Sequence, residues 1–262
     1  MTLEPWQLAV LTGLGTLAGW VNVMAGGGSV LTVPVMVFMG LPGPVANGTN
    51  RISIIAQNIV AIWGFFSKGL SEFRLSASLA AFAAVGAGFG ASFGVTLDGA
   101  WFNRVLAGVI ILILMTMLAD QKRGPPRKPD APQPGIGSER PSAPKNIVLG
   151  HILMIGAGFW GGFIQIGVGF LLMPILYRVM GIDLVRTNMH KVFIALVFSI
   201  VALIIFAART DIAWDAGFAL AAGNAVGGYL GARTAMAKGE GWIKAVLVFA
   251  MVGLIIKLVF FP

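Results

Sequence analysis

Apolar runs alternate along the chain with short polar, glycine- or proline-containing breaks, giving ten segments. In the first half they cover 5–25, 29–40, 46–66, 75–97 and 100–119. In the second half they cover 146–166, 168–180, 187–208, 213–236 and 240–261. A bilayer-spanning helix needs about 20 apolar residues, so eight of these runs are long enough to cross alone. The runs at 29–40 and 168–180 are too short for a straight crossing. The pattern predicts an all-α polytopic membrane protein with an N-terminal transmembrane repeat at 1–119, a linker at 120–145 and a C-terminal repeat at 146–262.

The halves match internally. A shift of 140 superposes Gly27 on Gly167, Pro34 on Pro174, Arg51 on Lys191 and Phe66 on Phe206. A shift of 137 then pairs Gly86, Gly90 and Gly94 with Gly223, Gly227 and Gly231. Generic apolar similarity would align hydrophobicity without reproducing a short broken segment and a twofold GxxxGxxxG. Five crossings per half is an odd number, so the two repeats are expected to be inverted, with broken or re-entrant short helices in each. Cations set the orientation. With five crossings per half, a cytoplasmic linker places Lys68, Arg74, Arg178, Arg186, Lys238 and Lys244 inside as well. With four, Arg178, Arg186, Lys238 and Lys244 would face outward, so the charge bias favours five.

Composition sharpens this picture. Of the 262 residues, 57% are hydrophobic, 11% are charged and none is cysteine. Soluble domains are about 45–50% apolar and about 25% charged, so a typical soluble enzyme is excluded, as are disorder and a disulfide scaffold. Glycine, at 36 residues, is about twice its usual share of roughly 7%, as closely packed or broken membrane helices require. The net charge of +8 does not point to nucleic acid, because six of the 18 cations (Lys122, Arg123, Arg127, Lys128, Arg140, Lys145) fall in the linker. The N-terminus has no basic region or small-residue cleavage site and is expected to stay attached.

Two duplicated features carry the candidate chemistry. One is the break Ala25-Gly26-Gly27-Gly28-Ser29 and its partner Gln165-Ile166-Gly167-Val168-Gly169. A helix restarting after such a break presents free N–H groups and a positive dipole end, suited to an anion. A tight interhelical crossing without a ligand would explain the same glycines. The other is Ala46-Asn47-Gly48-Thr49-Asn50-Arg51, paired with Val185-Arg186-Thr187-Asn188-Met189-His190-Lys191. Helix capping accounts for the asparagines and threonines but not for a cation about one turn in. An intramembrane cation is a functional candidate, with snorkelling to the headgroups as the alternative. All ten acidic residues lie in loops or near segment ends, so a carboxylate proton relay has little support. His190 is the histidine placed to titrate near neutrality, or else a polar packing residue. Gly156-Ala157-Gly158-Phe159-Trp160-Gly161 matches G-x-G-x-x-G but lies in an apolar run with no preceding strand, so a nucleotide site is not expected. No phosphate loop or zinc motif occurs, and neither cofactor nor metal is expected. The glycine ladders are expected to be packing faces.

From Gly19-Trp20 through Gly26-Gly27-Gly28, Pro34 and Ala46-Asn47-Gly48-Thr49-Asn50-Arg51, the first half resembles the sulfite exporter TauE/SafE family. The second half resembles its C-terminal repeat in Gly161-Gly162-Phe163-Ile164-Gln165-Ile166-Gly167-Val168-Gly169-Phe170, Arg186-Thr187-Asn188-Met189-His190-Lys191 and Ala232-Arg233. The resemblance covers nearly the whole chain outside the linker. It implies an inner-membrane permease, not an enzyme, for small sulfur-containing anions such as sulfite, sulfonates or sulfoacetate, often working as an exporter.

The expected mechanism is alternating access around a central anion site. The candidate binding residues are Gly27, Gly28, Ser29, Asn50, Arg51, Gln165, Gly167, Gly169, Asn188 and Lys191, with His190 as a candidate for proton coupling. The expected partners are the anion and the lipid bilayer, and the reading allows a homodimer. A channel, or a carrier for another small anion or metabolite, is the alternative.

Overall fold

The structure, a computed structural model, describes residues 4–25, 28–67, 69, 72–97, 99–122 and 144–234. Gly27, the linker residues 123–143 and the segment at 240–261 lie outside the described residues. Within them the chain is helical: α1 (Pro5–Ala25), α2 (Ser29–Phe38), α3 (Gly43–Phe66), α4 (Phe73–Gly94), α5 (Gly99–Lys122), α6 (Ile147–Phe163), α7 (Gly169–Pro174), α8 (Leu184–Arg209) and α9 (Trp214–Thr234). These match the apolar runs closely.

Local chemistry fixes the ends. Pro42 caps α3, with a further proline in the first turn where no N–H is needed. The Asp183 carboxylate caps α8, accepting from the Val185 and Arg186 amides at 3.0 Å each. α7 lasts six residues and ends on Pro174, which lacks an N–H, and the chain continues as a π-helical turn over Ile175–Val179. Both short segments stop at a Met-Gly pair with left-handed glycine, Gly40 at φ 94° and Gly181 at φ 67°.

Glycine ladders set the main helix pairs. Gly86, Gly90 and Gly94 bring α4 onto the backbone of Ile155, Phe159 and Phe163 in α6, and Gly158 and Gly162 answer against Ala83 and Ala87. Gly223 and Gly227 bring α9 onto Thr12, Thr16 and Trp20 of α1. Residue numbers rise together in both pairs, so each is parallel. Small residues let the backbones touch, which is how helices associate without a hydrophobic drive between them.

The other contacts complete the directions. α3 and α9 are parallel, since Thr49 meets Ala213 and Ile52 meets Gly217. α3 and α8 are antiparallel, since Gly48 meets Phe206 while Trp63 and Leu196 line one surface groove. α4 and α8 are parallel, since Ser76 meets His190 and Gly94 meets Phe206. Thus α1, α3 and α9 run toward the side from which α6 starts, here termed the linker side, and α4, α6 and α8 run away from it.

Burial is inverted relative to a soluble bundle. Trp63, Phe66, Phe89 and Val148 are more than 60% exposed, while Asn47, Thr49, Asn50, Arg51 and Ser53 are at 0%. An outer surface this apolar is suited to lipid tails. α4 and α8 are each long and apolar enough to cross a bilayer.

Candidate functional site

The polar interior is organised by α3, which offers two faces. Asn47 and Arg51, four residues apart, lie on one of them. They reach the end of α6, whose last four carbonyls have no partner inside the helix. All four are accounted for. Trp160 accepts from the Ile164 and Gln165 amides at 3.0 and 3.2 Å. Gly161 accepts from Arg51 Nη1 at 2.9 Å, Gly162 from Arg51 Nη2, and Phe163 from Asn47 Nδ2 at 2.7 Å. A cation at the negative end of a helix is also favoured by the macrodipole. Arg51 is fully buried, with its guanidinium carbon 4.8 Å from the Phe206 ring centroid.

The second face of α3, Asn50, Ser53 and Gln57, addresses the break between α1 and α2. Thr32 donates to Asn50 Oδ1 at 2.6 Å, and Ser53 donates to the Asn50 carbonyl at 2.8 Å. Asn22 donates to Gln57 Oε1 at 2.9 Å, and Gln57 donates in turn to the Gly19 carbonyl. One helix therefore holds the broken segments of both halves.

The expected cradle of free amides is only partly present. The Gly28 N–H points to Asn22 Oδ1 at 3.4 Å, and Ser29, the first residue of α2, is buried beneath it. In the other break, Ile166, Val168 and Phe170 spend their amides on carbonyls within the turn. Gln165 at φ 60° and Gly167 at φ 73° make that turn left-handed. Gln165 is held there by donating to Ser199 Oγ at 3.1 Å, beside the Trp160 Nε1 bond to the Ile166 carbonyl at 2.9 Å. Gly169 opens α7.

Arg51 and Lys191 are not brought together. Arg51 lies over Phe206, fifteen residues from Lys191 on α8, about 22 Å along the axis at 1.5 Å per residue. The reason is the antiparallel packing of α3 on α8, which sends equivalent positions to opposite ends. Lys191 and Asn188 are half-buried in the first turns of α8, toward the linker side. His190, fully buried there, has Nδ1 2.8 Å from Ser76 Oγ and Nε2 3.3 Å from Glu72 Oε2.

Among the described residues, four side-chain polar atoms of α3 are buried without a protein partner: Asn47 Oδ1, Asn50 Nδ2, Arg51 Nε and Asn58 Nδ2. Three of them are N–H donors. The acidic residues whose side chains are described, Glu4, Glu72, Asp183, Asp211 and Asp215, all lie at helix ends. Sequence reasoning missed Asn22, Thr32, Gln57 and Asn58. Their signal was available, since polar residues at 47, 50, 51, 53, 57 and 58 fall at helical spacing inside an apolar run.

A family model for the sulfite exporter TauE/SafE matches residues 11–258. The chain is 24% identical over 253 residues to a probable membrane transporter protein of Haemophilus influenzae, covering 97% of this chain and 94% of the relative. It is 25% identical to the probable membrane transporter protein ORF9 of a Sinorhizobium species, covering 97% and 93%. It is 24% identical to the probable membrane transporter protein YfcA of Escherichia coli K12, covering 98% and 91%. No solved structure matches the chain. A match of this extent, on an all-helical fold with an apolar exterior and polar breaks inside, makes this chain a member of the TauE/SafE family of integral membrane transporters, which are not enzymes.

Proposed function

We propose that the protein is a secondary transporter of small sulfur-containing anions such as sulfite, sulfonates or sulfoacetate, acting as an exporter across a bacterial inner membrane. The observation that carries the reading is the set of unspent buried donors on α3: Asn50 Nδ2, Arg51 Nε and Asn58 Nδ2. Buried N–H groups without partners cost free energy, and an oxyanion moving along α3 supplies acceptors to them in turn. The absence of buried carboxylates among the described residues weighs against a cation as cargo.

Helix directions support two inverted repeats of five segments. α1 and α6 run oppositely, as do α3 and α8, and α4 and α9. The pairings also exchange: α1 packs on α9 as α6 packs on α4. Alternating access is then one repeat rocking on the other, with the linker in the cytoplasm. Because Arg51 and Lys191 lie at opposite ends of the α3–α8 contact, they mark the two mouths of an anion path rather than one pocket. Asn58 lies between the mouths and Asn50 at the level of Arg51.

The test is flux from proteoliposomes loaded with sulfite, a taurine-like sulfonate, sulfoacetate or chloride. Asn50→Ala and Asn58→Ala are expected to raise KM for the transported anion about tenfold each, the loss of one hydrogen bond to a charged group. Lys191→Ala is expected to slow flux by weakening capture on the linker side. Unchanged kinetics in both asparagine variants would remove α3 as the donor set, and chloride moving as fast as every sulfur anion would remove the substrate class.

A further inference from the structure

A second polar cluster sits apart from the α3 donors, at the linker-side ends of α4 and α8. Arg186 Nη2 donates to Glu72 Oε2 at 2.6 Å and Arg186 Nε donates to Glu72 Oε1, a bidentate pair. The side chains are 12% and 27% exposed. Asp183 Oδ2 lies 3.8 Å from Arg186 Nε. His190, one turn further along α8, places one ring nitrogen against Ser76 and the other against Glu72. Glu72 and Ser76 come from the first half of the chain, and Asp183, Arg186 and His190 from the second.

The equivalent contact at the opposite end, between α3 and α9, is neutral: the Ala213 amide donates to Thr49 Oγ1 at 3.1 Å. One end of the bundle is therefore closed by charges and the other by an amide and a hydroxyl. Helix packing alone does not require that asymmetry. Partly buried ion pairs add little stability for their desolvation cost, and their best-attested use is to specify one arrangement over another.

We propose that Glu72, Ser76, Arg186 and His190 form a proton-binding latch that holds the linker-side mouth shut. With His190 neutral, Glu72, Asp183 and Arg186 carry a net negative charge, and one proton on the imidazole balances it. The charged ring donates from Nδ1 to Ser76 and sets Nε2 3.3 Å from Glu72 Oε2 as an ion pair. When the linker side opens, α4 carries Glu72 away from α8. Arg186 and His190 stay four residues apart on one helix face, where like charges repel, and the proton leaves to the linker-side water. Proton occupancy and closure of that mouth thus become one equilibrium. The other charged or titratable groups at this end are turned elsewhere. His151 of α6 bonds to Ser78 and the Ile147 carbonyl, Arg74 of α4, Lys145, and Tyr177 and Arg178 of the π turn are exposed, and Lys191 is rotated 100° around α8 from His190. The described residues of α3 at this end, Ile59–Phe66, carry no charge.

The latch rests on the alternating-access reading but not on the identity of the anion, and its test uses no substrate. The cysteine-free chain takes Phe73→Cys on α4 and Val185→Cys on α8, both exposed, as a spin-labelled pair in liposomes. Distance distributions are then read in steps from about pH 8 down to about pH 4.5. The close-to-distant ratio is expected to rise about tenfold from the higher pH to the lower, the worth of one charge-assisted hydrogen bond. In His190→Gln the ratio should no longer respond to pH. In Glu72→Gln, which keeps the imidazole, it should be low throughout. A pH-independent ratio in the parent protein would overturn the latch, as would a retained response in either variant. Absence of sulfur-anion flux together with an intact distance response would defeat the substrate reading and leave the latch standing.

Discussion

Arg51 offers the sharpest test of what the buried cation does. Replacing it with leucine keeps the volume apolar but leaves the Gly161 and Gly162 carbonyls without the donors that now satisfy them. Asn47 still holds the Phe163 carbonyl, so α6 loses two of its end contacts rather than all of them. Each lost bond to a charged donor is worth roughly 1.5–3 kcal/mol, partly offset because the desolvated guanidinium is removed too. A net local loss of roughly 2–4 kcal/mol corresponds to about 30- to 700-fold faster opening of the last turn of α6. Amide hydrogen exchange in lipid nanodiscs would read it on 161–165, with the Asp183-capped amides of Val185 and Arg186 as an internal control expected to stay unchanged. Arg51→Lys should recover part of the protection, since an ammonium can satisfy one carbonyl but not two in a fork. If Arg51→Leu abolishes anion flux while exchange at 161–165 stays as in the parent, the reasoning fails, because the charge would then be spent on the anion and not on α6.

Other expectations follow from single positions. Gly90→Ala places a methyl against the Phe159 carbonyl and should destabilise the protein by about 1–3 kcal/mol, whereas Gly88→Ala on the open side of α4 should stabilise it by about 0.5–1 kcal/mol. Thermal unfolding in detergent must therefore separate the two in opposite directions, and equal melting would refute the packing account. Gly167→Ala combines φ 73° with a methyl 2.5 Å from Ile113 Cδ1, and should cost at least about 1–2 kcal/mol in the same assay. Asp183→Ala removes the side-chain cap of α8 and should cost about 0.5–2 kcal/mol, visible as faster exchange of the Val185 and Arg186 amides.

The segment limits, the two breaks and the ladder positions were readable from the chain because each has a local cause. Apolar runs end where Gly40, Pro42, Asp183 and Gly181 stop or start helices, and those signals sit within a few residues of the boundary. Partner choice was not readable. Gly86 pairs with α6 and Gly223 with α1, across the two halves, yet nothing in an apolar stripe distinguishes a face meant for lipid from one meant for a helix. The same blindness placed Arg51 and Lys191 in one pocket: sequence equivalence under a shift of 140 says nothing of the antiparallel packing that separates them. The contacts of Arg51 with Gly161 and of Glu72 with Arg186 span more than a hundred residues. The repeated Met39-Gly40 and Met180-Gly181 could have been found, at a shift of 141 rather than 140.

The two faces of α3 bear on leakage. On the proposed alternating-access reading, a carrier wastes its gradient if both mouths loosen at once. Here the end of α6 and the break after α1 are fastened to residues within ten positions of each other on one continuous helix, Asn47 to Gln57. A rigid rod turned to free one of them turns the other by the same angle in the same instant. Their movements are mechanically summed on a single shaft, and a one-residue insertion between Ser53 and Gln57 would turn the Asn22 fastening about 100° away from those at Asn47, Asn50 and Arg51 without removing a single side chain.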